Sequence, residues 1–360
     1  MLAAIASLGL HDDATLATSR LGDDDFAALI LLAQRHRLLG ALAEAVATGA
    51  LPVSPDQLGS VIEYHSGWLS NALLTEAMLL RVDDCFSEHR IEYRVLKGVA
   101  LCRVAYNDPS WRVYSDLDIL VRSADFVRAI AALCQDLGGH RLVPELRPGF
   151  DREFGREATV HVGGREIDMH RTLVDGASGL TIDLDDLFAE PTWFEVAGRR
   201  FPALGATPAF LHACYDVALG DHPVRLSAVR DLLLLYTRGV DGDAVVEMAR
   251  RWRGEAVVER AAHLAVDTLG LPREHGLHAS TDLGSPRRQR WLLRSYGGRA
   301  GPYATHLAAI TVIHGVRPRL RYVRAITRPS PAYLAARGWT RHGHVRRALR
   351  QFTGKSTRNG

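Results

Sequence analysis

Lysine is nearly missing from this chain: of 44 basic residues only Lys97 and Lys355 are lysines, and arginine holds every other cationic position. Acidic residues are missing from its last part, with no Asp or Glu after Asp282. There are four cysteines (Cys85, Cys102, Cys134, Cys214), far apart and without a Cys-x-x-Cys pair. A disulfide scaffold is thereby excluded and zinc is not suggested; buried free thiols in a reducing cytoplasm are expected. No apolar run approaches the roughly 20 residues of a membrane span. Met1 to Leu10 is mildly apolar but contains no basic n-region, so a signal peptide is not expected. No Walker A sequence and no kinase-type glycine-rich loop occurs, which disfavours those phosphate-transfer folds.

What is present describes an ordinary globular protein of two or three domains. The chain has 360 residues, 47% hydrophobic and 24% charged. Its net charge of +3 conceals an asymmetry: residues 283–360 carry 17 basic residues and no acid, so residues 1–282 carry 27 bases against 41 acids, a net −14. Such a dipolar chain either docks its own tail or offers it to an anionic partner.

Chemistry-bearing residues gather between Leu96 and Val121 and again between Glu166 and His170. Leu96-Lys97-Gly98 closes a short apolar segment. Ser115 stands just before Asp116, and Leu117, Asp118, Ile119, Leu120 and Val121 follow it. If Asp116 to Val121 is extended, Asp116 and Asp118 share a face, because strand side chains repeat every second residue. Paired carboxylates repel each other, and a divalent cation relieves the repulsion. Asp168, in Arg165-Glu-Ile-Asp-Met-His170, offers a third carboxylate from another strand. Three oxygen donors suit Mg²⁺, which keeps waters and takes further ligands from substrate phosphates. A lone lysine beside Gly98 in an arginine-rich chain fits a crowded phosphate site, where a compact ammonium serves better than a guanidinium fork.

The Leu-Lys-Gly opening, the Arg112-x-x-Ser115-Asp116-x-Asp118 run and the later Asp168-x-His170 together resemble the nucleotidyltransferase superfamily, in its branch of uncharacterised nucleotidyltransferase family proteins. Two departures stand out. Gly98 is followed by Val99 where better-known members have serine, and the gap from Gly98 to Asp116 is longer than in the minimal motif. The resemblance implies Mg²⁺ or Mn²⁺ at Asp116, Asp118 and Asp168, with NTP as co-substrate. Asp168 would take the acceptor's proton. Lys97, Gly98, Arg112 and Ser115 would bind the nucleotide, with Arg112 offsetting charge on pyrophosphate, and His170 would contact acceptor or nucleotide. His212, Asp216, His222 and Asp231 also resemble positions where this branch carries His and Asp; capping and packing is their alternative role.

The expected fold is α+β: a small mixed sheet with flanking helices and a C-terminal helical domain. Residues 1–90 read as a helical region, 91–205 as the nucleotidyltransferase-like core, 206–300 as the helical domain and 301–360 as a basic extension. Asp23 to Asp25 suit a helix N-terminus, and Ser54 or Asp56 a cap. Ile91–Leu96, Leu142–Val143, Ala158–Val162 and Arg165–His170 read as strands, the last two joined by a Gly163-Gly164 hairpin turn. A further strand pair is expected around Trp193–Val196 and Arg200–Phe201. Ser123 is expected to cap a helix from Ala124 to Leu137, and Thr207-Pro208 to start another.

Three functions follow. The first is transfer of a nucleoside monophosphate from NTP to a small molecule, sugar or peptide in the cytoplasm. The resemblance brings in natural-product biosynthesis, because relatives often accompany such genes. The second is a toxin-like nucleotidyltransferase modifying RNA or tRNA, favoured by the basic terminus, where arginines interleave with aromatic residues. The third is a non-catalytic nucleotide-binding scaffold, favoured by Val99.

Overall fold

The computed structural model describes residues 1–10, 16–17, 19–271, 275–296 and 302–340. Four helices open the chain: α1 (Leu2–Ala6), α2 (Asp23–Arg35), α3 (Leu39–Ala47) and α4 (Pro55–Glu88). Three carboxylates fill the first turn of α2, where unpaired amides and the helix dipole favour negative charge. Ser54 and Gln57 form a reciprocal capping box at the start of α4, with Pro55 in its first turn. From there α4 runs unbroken for 34 residues. Its C-terminal part packs Met78, Leu79, Val82, Cys85 and Phe86 against one face of the sheet.

The sheet has seven strands in the order β3-β4-β5-β2-β1-β7-β6. These are β1 (Tyr93–Val95), β2 (Leu117–Val121), β3 (His140–Arg141), β4 (Glu157–Val162), β5 (Arg165–His170), β6 (Thr192–Val196) and β7 (Arg199–Ala203). Central β2 is buried along its whole length and pairs parallel with β5 and antiparallel with β1. Leu117, Ile119 and Val121 point into the layer shared with α4, while Leu120 joins the core on the opposite face. That alternation assigns Asp118 to the second face. Gly163 and Gly164 both take positive φ, 53° and 81°, in the tight turn between β4 and β5. The strand expected at Leu142–Val143 lies instead at His140–Arg141.

The connections hold α5 (Lys97–Val104), α6 (Phe126–Asp136), α7 (Phe150–Glu153) and α8 (Gly176–Thr181). At the start of α6 the capping position is Asp125 rather than Ser123, and no side chain makes the cap bond. The second face of the sheet is covered by α9 (Ala206–Leu219), α10 (Leu226–Thr237), α11 (Gly242–Arg251) and α12 (Glu255–Leu269). Thr207 lies inside α9, whose capping position is Gly205. A Cβ there would meet the Glu190 carbonyl oxygen at 2.6 Å, so only glycine fits that approach. The fold is therefore α+β, a mixed sheet with helices on both faces.

Four more helices follow: α13 (Arg287–Leu293), α14 (Pro302–Val312), α15 (Val316–Thr327) and α16 (Pro331–Ala336). Ala309, Ile313, Tyr322 and Ala325 pack on Phe150 and Phe154 of the core. Arg321 pairs with Glu153, and Arg147 Nη1 donates to the Arg328 carbonyl oxygen at 2.5 Å. The described part of the acid-free extension is thus docked on the body; Arg346, Arg347, Arg350 and Phe352 lie outside the described residues. Among the described residues no helix is long and apolar enough to cross a membrane.

Candidate active site

Parallel pairing of β2 with β5 sets Asp118 directly opposite Asp168. Asp116 stands one residue before β2, in a bend rather than in the strand. All three aspartates line one cleft of about 180 Å³ beneath α9 and α10, together with Lys97, Gly98 and Arg112. Of the residues picked out by sequence, Asp216 and Asp231 also line it, whereas Ser115, His170, His212 and His222 do not.

The cleft's charges can be matched pair by pair. Its walls carry Asp116, Asp118, Asp168, Asp216, Asp221 and Asp231, with Arg37, Lys97, Arg112, Arg156 and Arg225. Lys97 Nζ lies 2.9 Å from Asp216 Oδ1, Arg225 lies 2.6 Å from Asp221, and Arg112 binds Asp231 through Nε and Nη2. Tyr106 donates its hydroxyl to the same Asp231 carboxylate at 2.7 Å. Once these pairs are removed, Asp116, Asp118 and Asp168 are the carboxylates left without a lysine or arginine partner among the described residues. The remaining cations are Arg37 and Arg156, and Arg156 is shared with Glu157.

His170 has no solvent exposure, so it does not reach nucleotide or acceptor as expected. Its Nε2 donates to Asp118 Oδ1 at 2.8 Å and lies 3.5 Å from Glu157 Oε2. Burial alone would raise Asp118, but the hydrogen bond and charge of His170, with the charges of Lys97 and His212, hold it well below the usual carboxylate range. Asp168 moves the other way: burial raises it, helped by Glu157 and Asp118, against the Thr159 hydroxyl that donates to Oδ1 at 2.7 Å. Neighbouring strands thus hold two facing carboxylates of unlike acidity, a pattern that separates a permanent anion from a proton acceptor.

Lys97 is the first residue of α5 and has φ of 35°, a conformation costly for a side-chain-bearing residue. A Cβ on Gly98 would lie 3.2 Å from Tyr114 Cβ, so the turn packs tightly there. Burial lowers the Lys97 ammonium, but Asp216 and Asp118 outweigh it and keep the charge. One helical turn before Asp216 lies His212, pushed down to about 3 by burial and by the Lys97 charge. Its Nε2 has no hydrogen-bond partner among the described residues.

Oxygen donors of this kind suit Mg²⁺ or Mn²⁺. Asp118 and Asp168 each have one oxygen engaged by protein and a second one outside those bonds. The three carboxylates do not converge to within 4.8 Å of one another; among the described residues that closeness is met by Cys85, His89 and Asp136 elsewhere. Side-chain rotation within the cleft would be needed to bring all three onto one ion.

A family model described as uncharacterised nucleotidyltransferase matches residues 22–270. The chain belongs to that family. The match spans α2 to α4, the whole sheet and the helices from α5 through α12, including α9 and α10 above the cleft. No curated protein matches the chain. As a nucleotidyltransferase it is a transferase, and the cleft is where its sequence motifs meet. Arg37, Arg156, Asp221 and Arg225 were not singled out by sequence, for they sit in segments without a motif; only the fold brings them to the cleft.

Proposed function

We propose that this nucleotidyltransferase moves a nucleoside monophosphate from NTP to the hydroxyl of a small-molecule, sugar or peptide acceptor. The observation that carries the reading is the facing pair Asp118 and Asp168, with Asp116, on a cleft that also presents Lys97 and Gly98. The acceptor oxygen would form a bond to the α-phosphorus while the bond from that phosphorus to the bridging oxygen of pyrophosphate breaks. Asp168, the carboxylate raised by burial, would receive the acceptor's proton. Asp116 and Asp118 would stay ionised, and with Asp168 they would hold the divalent ion, whose chemistry is to neutralise charge on the phosphates. Lys97 and the backbone at Gly98 would hold the triphosphate, with Lys97 exchanging Asp216 for phosphate oxygens. Arg112 is committed to Asp231, so its contribution would be to shape the cleft wall and add positive potential there.

A second reading, an RNA acceptor, has one observation in its favour. A groove of about 810 Å³ runs between α7 and α15, lined by Arg147, Arg152, Arg321 and Arg324 against Glu153 alone. Arginines of this density suit phosphate backbones or other polyanions.

The test is pyrophosphate release from each NTP with Mg²⁺, in the presence of hydroxyl-bearing small molecules, sugars, peptides or RNA. Release that depends on an acceptor and is lost in Asp116→Asn/Asp118→Asn supports transfer. Absence of both release and NTP-dependent thermal stabilisation would overturn it.

A further inference from the structure

Away from the cleft, the C-terminal ends of α4 and α6 come together. Cys85 and His89 lie one turn apart on α4 and its cap, and Asp136 is the last residue of α6. His89 Nε2 is 2.5 Å from Asp136 Oδ2, and the Cys85 thiol points at the same oxygen from 3.8 Å. One ligating atom from each residue lies within 4.8 Å of the other two. We propose that Cys85, His89 and Asp136 bind a zinc-type divalent ion that clips α4 to α6.

Three features point to a soft cation. The donor set combines sulfur, imidazole nitrogen and carboxylate oxygen, which zinc accepts and Mg²⁺ does not favour. Ligands on one tetrahedral zinc sit about 3.5 Å apart, given metal–ligand distances near 2.0–2.3 Å; the observed spacing needs only small side-chain rotations to reach that. The electrostatics also call for positive charge. Two helices present their negative dipole ends here, and neither has a basic residue in its last turn. Cys85 is buried, whereas the side chains of His89 and Asp136 are 36% and 38% exposed, so an ion has a route in and water a coordination position.

Binding would release the proton of the Cys85 thiol, because the thiolate is the form that ligates a metal. The ion would join the long helix α4 to the helix that follows β2, fastening the sheet's outer layer. This inference does not rest on the transferase reading.

Metal-free protein titrated with Co²⁺ should give one equivalent of binding and a thiolate-to-cobalt charge-transfer band, displaced by Zn²⁺ but not by millimolar Mg²⁺. His89→Ala and Asp136→Asn, both at partly exposed positions, should weaken binding roughly 100-fold, and Cys85→Ser should abolish the band. Asp116→Asn/Asp118→Asn should retain it, which separates this site from the cleft. The proposal is overturned if wild-type protein shows no thiolate band, if Mg²⁺ displaces the ion, or if folded His89→Ala binds as tightly as wild type.

Discussion

His170 Nε2 stands 2.8 Å from Asp118 Oδ1, and the imidazole is entirely enclosed. The histidine of Asp168-x-His170 therefore lies beneath the cleft, bonded to a carboxylate that faces it. Asp118→Asn keeps an acceptor for the imidazole and should lower stability by less than about 1 kcal/mol while removing nucleotidyl transfer. Asp118→Ala strands the buried imidazole and should cost about 2 kcal/mol. Urea unfolding with pyrophosphate release on the same samples checks both. An Asn variant with wild-type turnover would remove Asp118 from the site.

Lys97 supplies a second prediction. Its ammonium is 2.9 Å from Asp216 and is carried on a backbone at φ of 35°. Lys97→Ala should reduce the efficiency of NTP use roughly 100-fold, on the order of 3 kcal/mol in transition-state binding. Lys97→Arg should restore little, since the guanidinium needs room and a different geometry. Asp216→Asn, which frees the ammonium, should change KM for NTP more than it changes kcat. Steady-state kinetics of pyrophosphate release distinguish these outcomes, and an arginine variant equal to wild type would make the lysine incidental.

Much of this site is local in sequence, which explains what could be read from it. The apolar run Ile119–Val121 and the Gly163-Gly164 turn specify strands without help from distant residues, and β5 has the expected bounds, Arg165–His170. The pairing of Asp118 with Asp168 follows from those strands being neighbours. The partners of the cations are another matter. Lys97 finds Asp216, and Arg112 finds Asp231, across 119 residues in each case, through the docking of α9 and α10 on the sheet. No periodicity encodes such a contact. His170 illustrates the same limit: strand parity places it on the face of Asp168, but only packing shows that the face is closed there. The Cys85–His89 spacing is legible as one helical turn, yet Asp136, 47 residues further on, supplies its meaning.

His212 gives stability a pH dependence. Its value near 3 in the fold lies below its ordinary 6.5. Between those values the unfolded chain binds a proton that the folded chain refuses, so stability falls as pH falls below about 6.5. The slope contributed is at most about 1.4 kcal/mol per pH unit. Asp118 and Asp216 are also lowered, but their losses belong near and below pH 4. His36, lowered by burial and by Arg35 and Arg225, adds to the slope between pH 6.5 and 5, and the raised Asp151, Asp168 and Asp175 shift towards that window. The His212 share is therefore read as the difference between wild type and variant. His212→Gln should flatten the urea-derived stability across that window. An unchanged slope would mean the imidazole is charged in the fold.

The basic extension can be divided into a part that docks and a part that faces outward. Tyr322 is 3% exposed and lies 5.2 Å, ring to ring, from Phe154; its hydroxyl is 2.8 Å from His306 Nδ1. Tyr322→Ala should cost about 3 kcal/mol through the cavity left against Phe150 and Phe154. Arg152 and Arg324 are exposed and line the groove beside it. Reversing both, as Arg152→Glu/Arg324→Glu, removes no packing and should leave thermal stability nearly unchanged. If the groove receives a polyanionic acceptor, this double variant should lose affinity for it, and the salt dependence of binding should flatten as fewer counterions are released. Turnover with an uncharged acceptor should stay as in wild type. If instead the arginines serve only to hold the tail, the double variant should unfold more readily, with acceptor affinity and salt slope unaltered. Binding measured from low to high salt, alongside unfolding of the same protein, decides between a docking face and a recruiting one.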